Sequence, residues 1–166
     1  MLNTFLKLNG NAVMIRVLLT SLVASAGFAG ALSAEMFNVQ QVTAHVWALE
    51  GPAENRNAEN LGNNATFGLI ETREGAVLVD PGGSYKGAAA IDAVISGLTD
   101  QPVRFVINTG GQDHRWLGNG YWQAKGAKVI ASEAALADHQ DRASMQLTIL
   151  SQLIGDAGLA GTEPAT

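Results

Sequence analysis

Apolar residues fall into two rhythms along this chain. Over residues 41–49, Val42, Ala44, Val46 and Ala48 share one side while Thr43, His45, Trp47 and Leu49 share the other. That period of two predicts a β-strand. Residues 51–64 are rich in Gly, Asn, Pro and Glu and read as a loop. A second strand is predicted over 65–70, a turn at Thr72-Arg73-Glu74-Gly75, and a third strand over 76–79, the last two strands pairing as a hairpin. Asp80-Pro81-Gly82-Gly83-Ser84 breaks the pattern. Ile91, Val94, Ile95 and Leu98 then recur at helical spacing until Asp100-Gln101-Pro102.

A strand over 103–107 is followed by a polar loop, Asn108 to His114, a short helix around 116–124 and a strand over 127–131. Ser132 can cap a long helix whose first turn carries Glu133. Leu136, Ala143, Leu147, Leu150 and Ile154 form its apolar stripe, and Gly155 is placed to end it. The order of strand, hairpin, helix, strand, helix, strand, helix predicts an α/β layered domain. The strands ending near 79, 107 and 131 are apolar on both faces, a pattern that expects cover on both sides.

The N-terminal region has a different rhythm. Residues 17–34 carry no charge, and Lys7 and Arg16 lie upstream. A basic start, an apolar run and small residues at the exit make a secretory signal peptide. Ala29-Gly30-Ala31 and Ala31-Leu32-Ser33 fit the cleavage rule equally, which places the cut between 31 and 34. The run of about 18 residues, rich in Gly, Ala and Ser, is at the lower limit for a membrane span. The signal reading is the better match, so no stable membrane anchor is expected. Met14-Ile15-Arg16 alone would open such a signal, so residues 1–13 read as an upstream extension. The expected organisation is a signal peptide at 1–34, a domain at 35–160 and a tail at 161–166, in a protein destined for the periplasm or secretion.

Composition narrows the function classes. The chain has 166 residues, 47% hydrophobic and 15% charged, which excludes an intrinsically disordered polymer. Its formal charge is −5 and no Lys/Arg run offsets it, which argues against a nucleic-acid partner. Cysteine is absent, so neither disulfides nor thiolate metal sites are available. The only histidines are His45, His114 and His139.

The segment Asn108-Thr109-Gly110-Gly111-Gln112-Asp113-His114-Arg115-Trp116-Leu117-Gly118-Asn119, with Val77-Leu78-Val79-Asp80-Pro81-Gly82-Gly83 upstream, is the most informative. Together the two resemble the N-terminal half of the metallo-β-lactamase-fold hydrolases. In that family an apolar strand ends in D-x-G, and a second strand later ends in N-T-H-x-H-x-D-H followed by G-N. Asp80 matches the first anchor, Asn108-Thr109 and Gly118-Asn119 bracket the second, and Gly126 to Ile130 match the strand beyond. The resemblance covers roughly residues 40–140. It implies the N-terminal half of an αββα sandwich, a mixed sheet with flanking helices, and zinc-dependent hydrolysis of a small-molecule substrate. Zn²⁺ lowers the pKa of bound water to about 7, which makes a nucleophile at neutral pH.

The sequence departs from the motif at the ligands themselves. Gly110 and Gln112 stand where the paired histidines would be, and neither is a normal zinc ligand. Two registers remain open for the rest. One keeps Asp113 and His114 on the D-H pair; the other, without gaps, puts His114 on the Asp and Arg115 on the last His. The resemblance makes Asp113 the candidate catalytic residue and Asp113 with His114 the candidate metal ligands. Further ligands belong to the second half of the fold, so the chain reads as an N-terminal fragment with an incomplete site, inactive alone. Either the missing C-terminal half or an oligomer is expected to cover apolar surface left open.

Other residues have plainer readings. Asp80 is expected to fix its loop, His45 to lie at or near the surface, His139 to be solvated near the start of the long helix, and Trp116 and Trp122 to be core. Gly82-Gly83 before a helix is only a weak phosphate-binding signal. Three functions compete: an exported zinc hydrolase seen in part, a non-catalytic binding or scaffold relative, and an unrelated two-layer α/β binding module.

Overall fold

A computed structural model describes residues 36–164, together with a two-residue antiparallel ladder pairing Lys7–Leu8 with Asn11–Ala12. Apart from that ladder, the expected signal peptide lies outside the described residues, as do the last two residues of the tail. No helix among the described residues is long and apolar enough to cross a membrane.

Six strands form one sheet in the order in which they occur in the chain. They are β1 (Asn38–Thr43), β2 (Val46–Glu50), β3 (Thr66–Thr72), β4 (Gly75–Val79), β5 (Val103–Asn108) and β6 (Lys128–Ala131). The first four pair antiparallel, and β4, β5 and β6 run parallel. This is the α/β layering that the pattern predicted and the mixed sheet that the resemblance implied.

The strand expected over 41–49 is instead two strands. The chain reverses at Ala44-His45, with Thr43 paired to Val46 and an irregularity between Gln41 and Thr43. The turn contains no Gly, Pro, Asn or Asp, and alternation continues in phase through it, so the reversal leaves no mark in the pattern.

Helix α1 (Tyr85–Ile95) connects β4 to β5, and α2 (Asn119–Ala124) connects β5 to β6. Ser84 caps α1 by accepting from the Gly87 N–H. The expected stripe is buried at Ile91, Val94 and Ile95, while Leu98 lies past the helix end. Crossovers between parallel strands are right-handed. Two successive crossovers toward the same sheet edge therefore lay both helices on one face. That face holds the main core, with Leu49, Phe67, Leu69, Leu78 and Val106 against Ile91 and Trp122.

The opposite face is open among the described residues. Ile70 pairs with Val77, Val77 with Phe105, Val79 with Ile107 and Ile107 with Ile130, so these side chains share it. Val77, Val79, Phe105 and Ile107 are half-buried; Ile70 and Ile130 are 36% and 49% exposed. The described residues supply no cover for this face.

The long helix α3 (Glu133–Leu159) begins at Ser132, whose side chain accepts from the Ala135 N–H, as its sequence predicted. Gly155 has φ +71° and breaks it. One further turn continues to Leu159, so the break is a kink rather than an end. Leu150 and Ile154 pack on Trp116 and Leu117 in a second, smaller core. Leu136, Met145 and Ile149 remain exposed.

Candidate functional site

The two anchors of the sequence motif meet where β4 and β5 end. Asp80 leaves β4 with φ +62°, a left-handed conformation uncommon for a residue with a side chain. Its N–H donates to the Ile107 carbonyl at 2.9 Å. Its carboxylate accepts from the Thr109 N–H at 2.8 Å and lies 2.8 Å from Thr109 Oγ1. Asp80 thus locks the two strand ends together. Asn108 and Asn119 exchange amide hydrogen bonds of 3.0 and 2.9 Å while buried, tying the end of β5 to the start of α2. Gly118 donates to the Gly82 carbonyl, and a Cβ there would stand 2.5 Å from the Pro81 carbonyl oxygen. Only glycine fits that approach. Trp122 Nε1 donates to the Pro81 carbonyl from the other side.

Asp113 and His114 lie in a single 3₁₀ turn, Asp113–Arg115, and both are buried. The Asp113 carboxylate meets Arg56 with both oxygens: Nη2 donates to Oδ1 at 2.6 Å, and Nε lies 2.5 Å from Oδ2. Nε is close enough for an ion pair but is not aligned for a hydrogen bond. The His114 N–H donates to Oδ1 at 2.9 Å, and His114 Nδ1 lies 3.2 Å from the same atom, also without hydrogen-bond alignment. Burial alone would raise the Asp113 pKa, but the contacts to His114 and Arg56 together outweigh it and hold the carboxyl below its ordinary value.

A depressed folded pKa stabilises the fold above the unfolded value, and this contribution is lost as pH falls through the folded one. Stability is therefore expected to be flat at neutral pH and to fall on the acid side, below about pH 4 where an unfolded Asp titrates. In acid unfolding followed by circular dichroism, Asp113→Asn should flatten this limb.

Arg115 completes the loop. Its Nη1 donates to Thr109 Oγ1 at 2.7 Å and its Nε to Gln112 Oε1 at 3.1 Å. A Cβ at Gly110 would lie 3.4 Å from Arg115 Cδ and 3.5 Å from Nη1. The guanidinium thus lies against the place where a side chain at 110 would begin.

Helix α3 holds the loop from outside. His139 Nε2 is 2.9 Å from the Gly110 carbonyl, Gln146 Nε2 donates to the Gly111 carbonyl at 2.7 Å, and Trp116 Nε1 donates to Gln146 Oε1 at 2.9 Å. The His139 ring stacks on Trp116 at 4.6 Å and 10°. His139 is 2% exposed, so the expectation of a solvated histidine is corrected. It has no partner at i+4 because its partners, Trp116 and Gly110, are on the loop. His45 is exposed, as expected, but sits on the β1–β2 turn, 2.8 Å from Glu71. Trp116 and Trp122 are core. Sequence reasoning missed Arg56, the one cation of the 51–64 loop, and that isolation was the only available signal.

These residues do not fit zinc. Gly110 offers no donor, Gln112 and Arg115 are spent on each other and on Thr109, and Asp113 is bound to Arg56. No group of three or more His, Cys, Asp or Glu side chains converges among the described residues. A cavity of about 150 Å³ borders the loop, lined by Arg56, Gln112, Asp113, Gln146 and Ile149. A larger one, about 300 Å³, lies away from the motif, between the end of α1 and Trp122 and Lys125.

No protein-family model and no curated protein matches the sequence. Solved structures do match. A metallo-β-lactamase from Pontibacter korlensis and one from Hirschia baltica each align with TM-score 0.53 at 20% identity, over 64% of this chain and 48% of theirs. This is part of a metallo-β-lactamase fold. A metallo-β-lactamase from Erythrobacter litoralis aligns with TM-score 0.51 at 16% identity, over 67% of this chain and 46% of its own. The chain thus spans about half the length of these metallo-β-lactamase structures. The likeness establishes the fold and leaves chemistry to the site.

Proposed function

We propose that this chain is a non-catalytic, metal-free relative of the metallo-β-lactamase fold, acting as a binding or scaffold domain. The reading rests on one observation: the Arg115 guanidinium lies against Gly110, in the loop where the resemblance would place the metal ligands. A catalytic zinc site takes about three protein ligands. Here the loop's polar side chains bond one another or Arg56 instead.

A second reading keeps the hydrolase. The Asp80–Thr109 bonds and the Asn108–Asn119 pair still frame the loop, and Asp113 and His114 stay adjacent inside it. In that reading Asp113 and His114 would serve a zinc centre acting on a small-molecule substrate, completed by ligands from elsewhere. In both readings the segment at 17–34 directs export to the periplasm or beyond.

Elemental analysis of the purified protein, after incubation with zinc and gel filtration, separates the two. The proposal expects zinc far below one ion per chain, with no hydrolysis of β-lactam or thioester probes above buffer. Stoichiometric zinc that is lost in Asp113→Asn or His114→Ala would overturn it. For export, N-terminal sequencing of secreted material should begin between residues 32 and 35; a start before Ala29 would refute the cleavage.

A further inference from the structure

The cation of the 51–64 loop is held in place by more than its partner. We infer that Arg56 is a built-in cation, a side chain that supplies the positive charge beside Asp113 in the loop where the motif would hold a metal ion. This inference rests on the metal-free reading of the site and names what takes the metal's part.

The backbone on both sides of Arg56 is pinned. Asn60 is buried within the loop that joins β2 to β3. Its Oδ1 accepts from the N–H groups of Asn57 and Gly62, each at 3.0 Å, and its Nδ2 donates to the Asn55 carbonyl at 2.9 Å. Asn57 Oδ1 accepts in turn from the N–H groups of Glu59 and Asn60. Buried Asn63 fastens the end of the loop to the start of α1, accepting from the Gly83 N–H at 3.0 Å and donating to the Gly87 carbonyl at 2.9 Å. Ser84 Oγ donates to the Leu61 carbonyl at 2.8 Å. These bonds fix where the Arg56 side chain begins, so the guanidinium meets Asp113 already oriented.

Charge gives the arm its purpose. A buried carboxylate stays ionised only beside a compensating charge. Among the described residues, the ion-pair partners of Asp113 are Arg56 and the neighbouring His114. Arg115, the other arginine at this loop, is turned to Thr109 and Gln112. The Arg56 guanidinium covers both Asp113 oxygens. Yet Arg56 Nε and His114 Nδ1, both buried, have no hydrogen bond. The arginine therefore neutralises the carboxylate without saturating the nitrogens around it, so its service here is charge rather than hydrogen-bond fit. Unlike an ion, it cannot dissociate or be chelated.

The test is thermal unfolding of the full chain and of Arg56→Ala with added cations. Neither a chelator nor micromolar zinc should move the wild-type Tm. Arg56→Ala should melt roughly 10 °C lower. Guanidinium chloride at about 10 mM is too dilute to denature. It and micromolar zinc should each recover part of the loss, because a ligand that binds only the folded chain raises Tm. Sodium chloride at the same concentration should not, and neither cation should act on Arg56→Ala combined with Asp113→Asn. Should Arg56→Ala fail to fold, Arg56→Gln keeps part of the stem without the charge and gives the same comparison. A charge-lacking variant that no cation stabilises would overturn the inference. So would recovery that persists without the Asp113 carboxylate, recovery by guanidinium alone, or zinc raising the wild-type Tm as much as the variant's. Zinc content of the wild type separates the two failures: zinc bound there removes both readings, whereas a zinc-free wild type beside an unrescued variant removes this inference alone.

Discussion

Asp113→Ala is expected to destabilise the protein by about 3–5 kcal/mol, the usual consequence of removing one partner from a buried ion pair. In a domain of this size that lowers Tm by roughly 10 °C or more. Arg56 is only 24% exposed at its side chain and Asp113 7%, so water cannot readily replace either partner. The carboxylate also receives the His114 N–H, so its loss frees a buried donor at the same time. Arg56→Ala should cost a similar amount by leaving the Asp113 charge unpaired. The double variant should cost clearly less than the two single losses added together, because each single change strands a charge that the double change removes. Thermal melts of the four proteins give this cycle. Additive losses would mean that the pair contributes nothing as a pair.

Trp116→Ala should cost about 3–5 kcal/mol, the range for truncating a large buried aromatic. The damage should be local. Trp116 is 1% exposed, stacks on His139, donates to Gln146 and anchors the small core with Leu150 and Ile154. None of these contacts belongs to the main core under α1 and α2. Hydrogen exchange should therefore accelerate in α3 and the 110–116 loop before it does in β3, β4 and β5. Uniform acceleration across the sheet would show that the two cores unfold as one unit.

The strands and helices were largely legible because each buries one apolar side. The run of Ile91, Val94 and Ile95 and the cap at Ser132 both announce helices that the structure contains. The reversal at Ala44-His45 was not legible, since it uses no turn residue and leaves the alternation in phase. Cover on the second face is not supplied by the described residues, and the pattern alone does not say what supplies it. Apolar residues on both sides of a strand register a preference for burial, whereas the direction of two like-handed crossovers decides which face receives the helices.

In the candidate site, the frame was legible and the interior was not. Asp80, Asn108, Thr109, Gly118 and Asn119 act through the backbone or through short fixed side chains, and their spacing carries the motif. Arg56 reaches Asp113 across 57 positions, and His139 reaches Gly110 across 29. Nothing local to either residue encodes such a contact. The choice between the two motif registers likewise depends on where side chains point, which spacing alone does not specify.

The hold of α3 on the loop has a consequence for how such a chain can change over generations. His139 and Gln146 grip the main-chain oxygens of Gly110 and Gly111, so the grip on Gly110 does not depend on its side chain, whereas a Cβ at Gly111 would collide with Asp138 of the same helix. Position 110 can therefore change within the room that Arg115 leaves without releasing α3, while position 111 is held to glycine. The path of the loop is thus set by main-chain bonds to the helix, and what projects from position 110 can vary beneath an unchanged contour.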